Sequence, residues 1–432
     1  MKFISKIYQI WKDHDLRRSI LFVLGMLIIF RIAAHIPVPG VDIKSLQELF
    51  SSSAVLGFLS VLSGGAMQNF SLVALGVGPY ITASIIMQLL TMIVPALEEL
   101  SKEGESGTKK INQYTRLLTV PLAFLQGFAM IRLLQGAGRG IIGENLSTPE
   151  FLGIMTILTA GTVFLMWIGE LITEKKVGNG VSLIIFAGIV AGIPSSLRNM
   201  FINFSTTEIP FVVGFLVIIV LTVAGIVIIT EGQRHIPIAY AKRVRGNKMY
   251  GGFETHLPLR VNQAGMIPII FAVSLVMLPP IIGQFFQHAN SGFLRAISNF
   301  LVNNFQPNSL LYGVVYFILV FGFTYFYTAV IFHPQQIADN LQKQGGFVPG
   351  LRPGRQTAEY LSKISNRIML AGALSLAVVA ILPIIVSFAF QDSSSIANIA
   401  LSGASLLIVV SVVLETVRQI DSQLVMRDYE HL

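Results

Sequence analysis

No cysteine occurs anywhere in the 432 residues. Disulfide frameworks, thiolate zinc sites and cysteine nucleophiles are thereby excluded, and cysteine usage says nothing of the redox compartment. Charge is the second scarcity. Asp, Glu, Lys and Arg together make up only 12% of the chain, against about 25% in an ordinary soluble domain. Acidic groups are the rarer sign, 22 against 30 basic ones, for a net charge of +8. Apolar residues take up the difference, at 53% of the chain with a mean hydropathy of +0.71. That composition excludes a soluble scaffold. At roughly 20 apolar residues per crossing of a hydrocarbon layer about 30 Å thick, there is room for some ten membrane helices plus loops.

Ten apolar runs are present, at residues 19–36, 72–95, 117–134, 151–173, 181–197, 209–230, 265–286, 310–332, 368–390 and 396–414. Continuous runs of this kind predict an all-α integral membrane protein, because a closed barrel needs alternating strands of about ten residues. The basic residues predict its orientation. With the N-terminus inside, 24 of the 30 Lys and Arg fall on inside segments; Lys44, Arg132, Arg139, Arg198 and Arg295 fall outside, and Arg31 lies within the first span. Both termini are therefore expected on the cytoplasmic side. Arg17 and Arg18 ahead of an apolar run resemble a signal peptide, but Arg31 interrupts the run, which continues toward Pro37. The segment reads as a retained first helix. Before it, Phe3, Ile4, Ile7, Tyr8 and Trp11 recur at helical spacing with lysines between them, as in a helix lying among headgroups; a frayed tail is the competing reading.

Three stretches do not fit ten rods. Residues 57–70 (GFLSVLSGGAMQNF) are apolar but about half the length of a crossing, and Gly64 and Gly65 break them. A re-entrant half-helix shielded by protein and an external amphipathic helix both fit that length. The loops 231–262 and 333–367 are long, basic and punctuated by Arg245-Gly246-Asn247 in one, and by Gly345-Gly346 and Pro349-Gly350-Leu351-Arg352-Pro353-Gly354 in the other. Contact with ribosomal RNA and a bare positive-inside signal both account for the charge; the second leaves the lengths unexplained.

An internal repeat is the most informative pattern. Gly76, Pro79, Ile81 and Ala83 in the second run, and Gly265, Pro268, Ile270 and Ala272 in the seventh, both spell G-x-x-P-x-I-x-A. Four shared letters in apolar sequence leave chance as a competitor, yet each copy opens the second run of a set of five. A repeat of five spans inverts its second copy and places the working site between the halves. Proline inside each helix is expected to kink it. No acidic residue falls at an expected midplane, which speaks against an ion-coupled secondary transporter with inverted repeats, the alternative for such a fold. Arg31 reads as a paired structural charge, and Gln88, Gln126, Ser274 and Thr324 as interhelical hydrogen-bonding partners. The apolar residues around the repeat suggest a greasy constriction able to exclude water.

Enzyme signatures fail. Residues 103–110 lack the spacing of a phosphate loop. Gly403-Ala404-Ser405 resembles a nucleophile elbow but has Leu407 in place of its last glycine, and no histidine lies in the core of a span. No cofactor or metal is indicated.

In order along the chain come Phe30-Arg31-Ile32, Ile36-Pro37-Val38-Pro39-Gly40, Ser63-Gly64-Gly65-Ala66, Gly78-Pro79-Tyr80-Ile81-Thr82-Ala83-Ser84, Lys102-Glu103-Gly104-Glu105-Ser106-Gly107 and Gly178-Asn179-Gly180-Val181-Ser182. Tyr240-Ala241-Lys242-Arg243, Thr255-His256-Leu257-Pro258-Leu259, Phe347-Val348-Pro349-Gly350-Leu351-Arg352-Pro353-Gly354 and Ser405-Leu406-Leu407-Ile408-Val409-Val410 complete the series. This series resembles the bacterial SecY family.

The resemblance implies the channel subunit of the general protein translocase, a non-enzyme of the bacterial inner membrane. Ten transmembrane helices would form two inverted-topology halves of five, with a re-entrant plug. The corresponding parts here are a cytoplasmic amphipathic segment 1–18, an N-terminal half 19–200 with the plug at 57–70, a C-terminal half 201–415 and a cytoplasmic tail 416–432. The family's pore ring carries over onto Val77, Ile81, Val181, Ile185, Ile270 and Ile408, and its lateral gate onto Ser84, Gln88, Gln126 and Ser274. The plug takes in Gly57, Ser63, Gly64 and Gly65. Docking of the SecA motor ATPase or the ribosome carries over onto Arg243, Arg245, Lys248 and Arg352. Asn247 stands where the family often has a basic residue, and Arg243 and Arg245 would supply that charge. The implied partners are SecE as clamp, SecG as accessory, preprotein substrates and membrane lipid.

Overall fold

The computed structural model describes residues 10–52, 56–57, 60, 63–136, 147–202, 209–240, 243–245, 248–250, 254–265, 267–286, 291–306, 309–389 and 403–430. The expectations for Phe3, Ile4, Ile7 and Tyr8, for Asn247 and for residues 396–402 lie outside the described residues.

Helices dominate. The first half holds α1 (His14–Ala33), α2 (Ile43–Ser52), α3 (Gly78–Ile93), α4 (Pro95–Lys102), α5 (Glu105–Gly136), α6 (Thr148–Glu174) and α7 (Gly180–Ile202). Then comes α8 (Ile209–Glu231), followed after an interval by α9 (Ile267–Val276), α10 (Leu278–Phe286), α11 (Gly292–Asn304), α12 (Leu310–Ile331), α13 (Pro334–Lys343), α14 (Arg355–Ala389) and α15 (Gly403–Glu430). Among the described residues, five segments are long and apolar enough to cross a membrane: Glu105–Gln135, Thr148–Glu174, Ile267–Gln284, Leu310–Lys343 and Arg355–Leu382. The pair α3 and α4 makes a sixth if it counts as one span, bent by 100°.

Local chemistry explains where the helices start and break. The Asp13 carboxylate accepts from the amides of Asp15 and Leu16, capping α1. The sharp bend between α3 and α4 falls at Val94, which is extended (φ −98°, ψ 110°) because Pro95 follows it and opens the next helix. The seventh run is not one rod: it divides at Met277, just ahead of Pro279 and Pro280, which have no amide to continue the ladder. Small residues let the backbones meet. A Cβ on Gly161 would lie 1.8 Å from the Leu72 carbonyl oxygen, and one on Gly180 would lie 1.8 Å from that of Gly169, so both crossings require glycine.

The two long loops carry strands rather than turns alone. Strand β1 (Gln233–Tyr240) pairs antiparallel with β4 (Glu254–Arg260) and, at its far end, with β5 (Gly346–Phe347) of the second loop, through Ala239 opposite Phe347 and Tyr240 opposite Gly346. Between β1 and β4, β2 (Arg243–Arg245) and β3 (Lys248–Tyr250) form a small hairpin. Ile236 and Ile238 point inward along β1 while their neighbours stay exposed or half-buried, the period of two expected of a half-buried strand. Ile236, Leu259, Val348, Leu361 and Ile364 make a separate core beneath the sheet. The main apolar core runs through α1, α3, α6, α7, α9, α12, α14 and α15, and a smaller one joins α2 and residues 67–70 to the ends of α5 and α6. Residues 416–430, expected as a tail, continue α15 as regular helix.

Candidate functional site

The repeated motif has the same backbone form in both copies. Gly76 (φ 58°) and Gly265 (φ 67°) both take the left-handed conformation, and a helix begins two residues later in each case, at Gly78 and Ile267. Pro79 and Pro268 are each the second residue of their helix, or its near neighbour, in the first turn. There the missing amide is one that no intrahelical bond would use, so neither proline kinks its helix as the sequence suggested.

These helix starts position the aliphatic ring. Val77 precedes α3 and Ile81 lies in its first turns, Val181 and Ile185 lie in the opening turns of α7, Ile270 is near the start of α9 and Ile408 near that of α15. Val77, Ile81, Ile185, Ile270 and Ile408 are all buried, no more than 9% exposed, and belong with the partly buried Val181 to one contiguous cluster. All six expected ring residues thus lie in the one large apolar core, on helices that pack α3 on α9, α9 on α15 and α15 on α7. Nothing in this set can titrate, coordinate or attack; what it does is exclude water.

The residues expected at the gate lie on α3, α5 and α9. α3 packs against α9, and α5 against α10. Gln126 on α5 faces the start of α3, where a Cβ on Gly78 would meet its Oε1 at 3.9 Å. Ser84, Gln88 and Ser274 are half-buried. The expectation of interhelical bonds fails for two residues: the Gln88 amide donates to Ser84 Oγ at 3.3 Å within α3, and Thr324 Oγ1 donates to its own helix at the Val320 carbonyl, 2.6 Å away. A four-residue spacing meets that need locally.

Residues 63–70 run as successive turns, not as the tail of a half-helix. Two glycines in the left-handed region, Gly64 (φ 69°) and Gly65 (φ 79°), account for this. Ser63 Oγ and the Gly65 amide both donate to the Ser60 carbonyl, at 3.0 and 2.8 Å. Ala66 and Phe70 are fully buried. Gly57 is close to α2, with space for a Cβ only 3.3 Å from the Phe50 carbonyl. Arg31 has a partner as expected, but that partner is a backbone carbonyl and not a charge: Nη1 donates to Gly64 O at 2.6 Å. On its other side Gly64 is so close to α7 that a Cβ would lie 2.6 Å from Gly188 Cα. The segment is held between α1 and α7 by one charge-assisted bond and one glycine contact.

The expected docking residues lie on two separate pieces of structure. Arg243 and Arg245 are on β2 and Lys248 on β3, with Arg245 opposite Lys248 in register. Arg352 is exposed in the loop between β5 and α14. Thr357 Oγ1 donates to its carbonyl at 2.9 Å, and its amide donates to Gln356 Oε1 at 3.4 Å. Because β5 pairs with β1, the two loops share one three-stranded sheet, and the β2–β3 hairpin stands as a sheet of its own. The period-two alternation of Ile236 and Ile238 was the available signal for a strand; the β1–β5 pairing, 108 residues apart along the chain from Ala239 to Phe347, left none. Sequence reasoning also missed Arg418 and Gln423 on α15. Arg418 pairs with Glu231 at 2.8 Å, and Gln423 Nε2 donates to the Lys176 carbonyl at 2.6 Å, tying α15 to the ends of α8 and α6.

A family model described as SecY matches residues 71–417. The protein translocase subunit SecY of Corynebacterium glutamicum is 45% identical over 444 residues, covering 99% of this chain and 100% of that one. That of Mycobacterium tuberculosis is 41% identical, with 99% and 98% covered. The chain belongs to the SecY family. SecY proteins are non-enzymatic subunits of translocation channels, so the chain is a channel subunit and not an enzyme. Two solved structures share the fold. One, described as the structure of a protein conducting channel, aligns with a TM-score of 0.59 at 16% identity, covering 92% of this chain and 90% of that one. The other, Sec61 in the canine ribosome-channel complex from the endoplasmic reticulum, aligns at 0.55 and 15%, covering 93% and 90%.

The Arg31 contact has a measurable consequence. A hydrogen bond to a charged group contributes about 1.5–3 kcal/mol, so Arg31→Leu should raise the exposure of the 63–70 segment roughly tenfold or more. Maleimide labelling of Ser63→Cys, a unique thiol in this chain, is expected to accelerate by that factor; an unchanged rate means that Arg31 does not hold the segment.

Proposed function

We propose that this chain is the protein-conducting pore of a bacterial inner membrane, passing unfolded preproteins across and releasing apolar helices sideways into lipid. The observation that carries this reading is the aliphatic ring, six Ile and Val residues from four helices in one cluster beside the contact of α3 with α9. An unfolded polypeptide offers no fixed chemistry to recognise. A ring of apolar side chains accommodates any sequence, seals when empty and binds nothing tightly. Residues 57–70 act as the plug on its outer side. Signal sequences are then selected by partitioning, because an apolar helix gains about 0.8 kcal/mol per buried CH₂ on leaving the pore for lipid.

In this reading ten spans form two inverted halves with both termini cytoplasmic, and α3 and α9 are the two lips of the lateral gate, bordered by Gln126, Ser84, Gln88 and Ser274. The hairpin bearing Arg243, Arg245 and Lys248 and the loop bearing Arg352 receive the SecA motor or the ribosome. The description of the canine Sec61 relative as part of a ribosome-channel complex supports a ribosome partner. SecE as clamp and SecG as accessory complete the assembly. Work comes from the motor or from synthesis, since the chain carries no nucleotide-binding loop.

Each part has its own test. Replacing Ile81, Ile185, Ile270 and Ile408 together with Gly should raise ion conductance across planar bilayers several-fold; unchanged conductance sinks the seal. A cysteine pair joining α3 to α9 should block export when oxidised and restore it on reduction, whereas continued export through a verified crosslink rejects the lateral gate. Arg352→Glu should cut SecA-driven export by about tenfold, the scale of one lost charge-assisted contact, while complex assembly is unchanged. Normal export by that variant removes Arg352 from the docking site.

A further inference from the structure

Helix α11 (Gly292–Asn304) was not anticipated, and its surface is divided into three unlike strips. One strip docks it. Ser298 is fully buried and its Oγ donates to the Gly283 carbonyl of α10 at 2.6 Å. A Cβ on Gly283 would lie 2.9 Å from Val302 and 3.0 Å from Leu301, so α11 is seated directly on the backbone of α10. At about 100° per residue, Phe293, Ile297 and Phe300 form a second strip spanning roughly 60°, and Arg295, Asn299 and Asn303 a third spanning roughly 80°. The second strip is apolar yet open: Phe293 is 74% exposed, Phe300 56% and Ile297 41%. The polar strip is exposed as well.

We propose that α11 lies in the headgroup layer of the membrane, with Phe293, Ile297 and Phe300 dipping into the acyl boundary and Arg295, Asn299 and Asn303 facing water. Three observations select lipid as the occupant. α11 begins eight residues after Gln284, the end of a segment apolar enough to cross a membrane, so it starts at the level where hydrocarbon gives way to water. Its apolar and polar strips are both solvent-facing and lie on opposite sides of the docked strip, as in a helix lying flat at an interface. Its only charged side chain is a cation, Arg295, suited to phosphate headgroups. Seated on Gly283, α11 then fixes the depth of α10, the half of the seventh run beyond the break at Met277.

The inference needs only that α10 crosses the membrane; the outer leaflet as its location rests on the topology proposed above. Spin labels on single cysteines test it in the full chain, reconstituted in vesicles of phosphatidylethanolamine and phosphatidylglycerol. Phe293→Cys, Ile297→Cys and Phe300→Cys should be several-fold more accessible to oxygen than to an aqueous nickel chelate, and Ala296→Cys, Asn299→Cys and Asn303→Cys the reverse. All six positions are exposed, so labelling removes no core contact. Equal nickel access on both strips overturns the proposal in favour of a helix in water, and an apolar strip closed to both reagents overturns it in favour of a protein partner or a second copy. Leaflet is read separately. A membrane-impermeant thiol reagent should modify Ser291→Cys from outside only, and modification from inside overturns the outer placement while the oxygen pattern stands.

Discussion

Every backbone amide within a hydrocarbon layer needs a partner inside the protein, and this channel subunit begins several of its helices near the ring. A helix start leaves four amides without an intrahelical acceptor. The chain meets that cost with a few side chains and with proline. Thr173 Oγ1 accepts from the Gly180 amide at 2.9 Å, and Asn179 Oδ1 accepts from the Ser182 amide at 3.2 Å, so two of the starting amides of α7 have side-chain partners. Pro79 and Pro268 remove one donor each from the first turns of α3 and α9. Asn262 Nδ2 donates to the Gly265 carbonyl at 3.1 Å and braces the left-handed turn that leads into α9. The ring follows from these starts, because its members occupy the opening turns that the caps and prolines make possible.

The same constraint explains the 63–70 segment. Non-helical backbone at such a place is tolerated only where protein surrounds it. Local bonds to Ser60 satisfy part of it, Arg31 supplies a donor to Gly64 O, and the Pro37 to Ser71 bridge closes its far end, with the Val38 amide donating to the Phe70 carbonyl at 2.9 Å. Arg31 is therefore better understood as a substitute for a backbone partner than as half of an ion pair. A charged side chain on an apolar helix is expensive by roughly 2.5–3.5 kcal/mol, and that cost is offset where its proton meets an otherwise starved carbonyl.

How much of this was legible in the sequence varies with the range of the interaction. The helical class was readable because an apolar run needs no partner to announce it, and the shared form of the two motif copies was readable through the repeat. Local breaks were half legible: Pro95 marks the bend after α3, but Pro79 and Pro268 were expected to kink helices that they in fact begin, because placing a proline depends on a helix start that hydropathy does not show. Ile236 and Ile238 carried a strand signal inside what reads as a basic loop. The β1–β5 pairing, the Arg418 to Glu231 contact and the seat of α11 on Gly283 were not legible, since each joins residues whose neighbours in sequence say nothing of the other side.

The ring's chemistry also limits what can control it. Its members are all Ile or Val, whose branched Cβ leaves one dominant rotamer in a helix. Their positions are set by the backbone, so a pore built on them would change width by moving helices rather than by flipping side chains. Having no ionisable group, it gains nothing from a change in pH, and screening by salt has no charge there to act on. Its cohesion scales with the apolar area that the side chains cover on one another. An apolar segment entering the ring replaces that area with its own, while an ion replaces none of it and must shed its hydration shell besides. In the proposed pore, selectivity against ions and tolerance of polypeptide would therefore come from one property, the absence of polar groups among six aliphatic side chains.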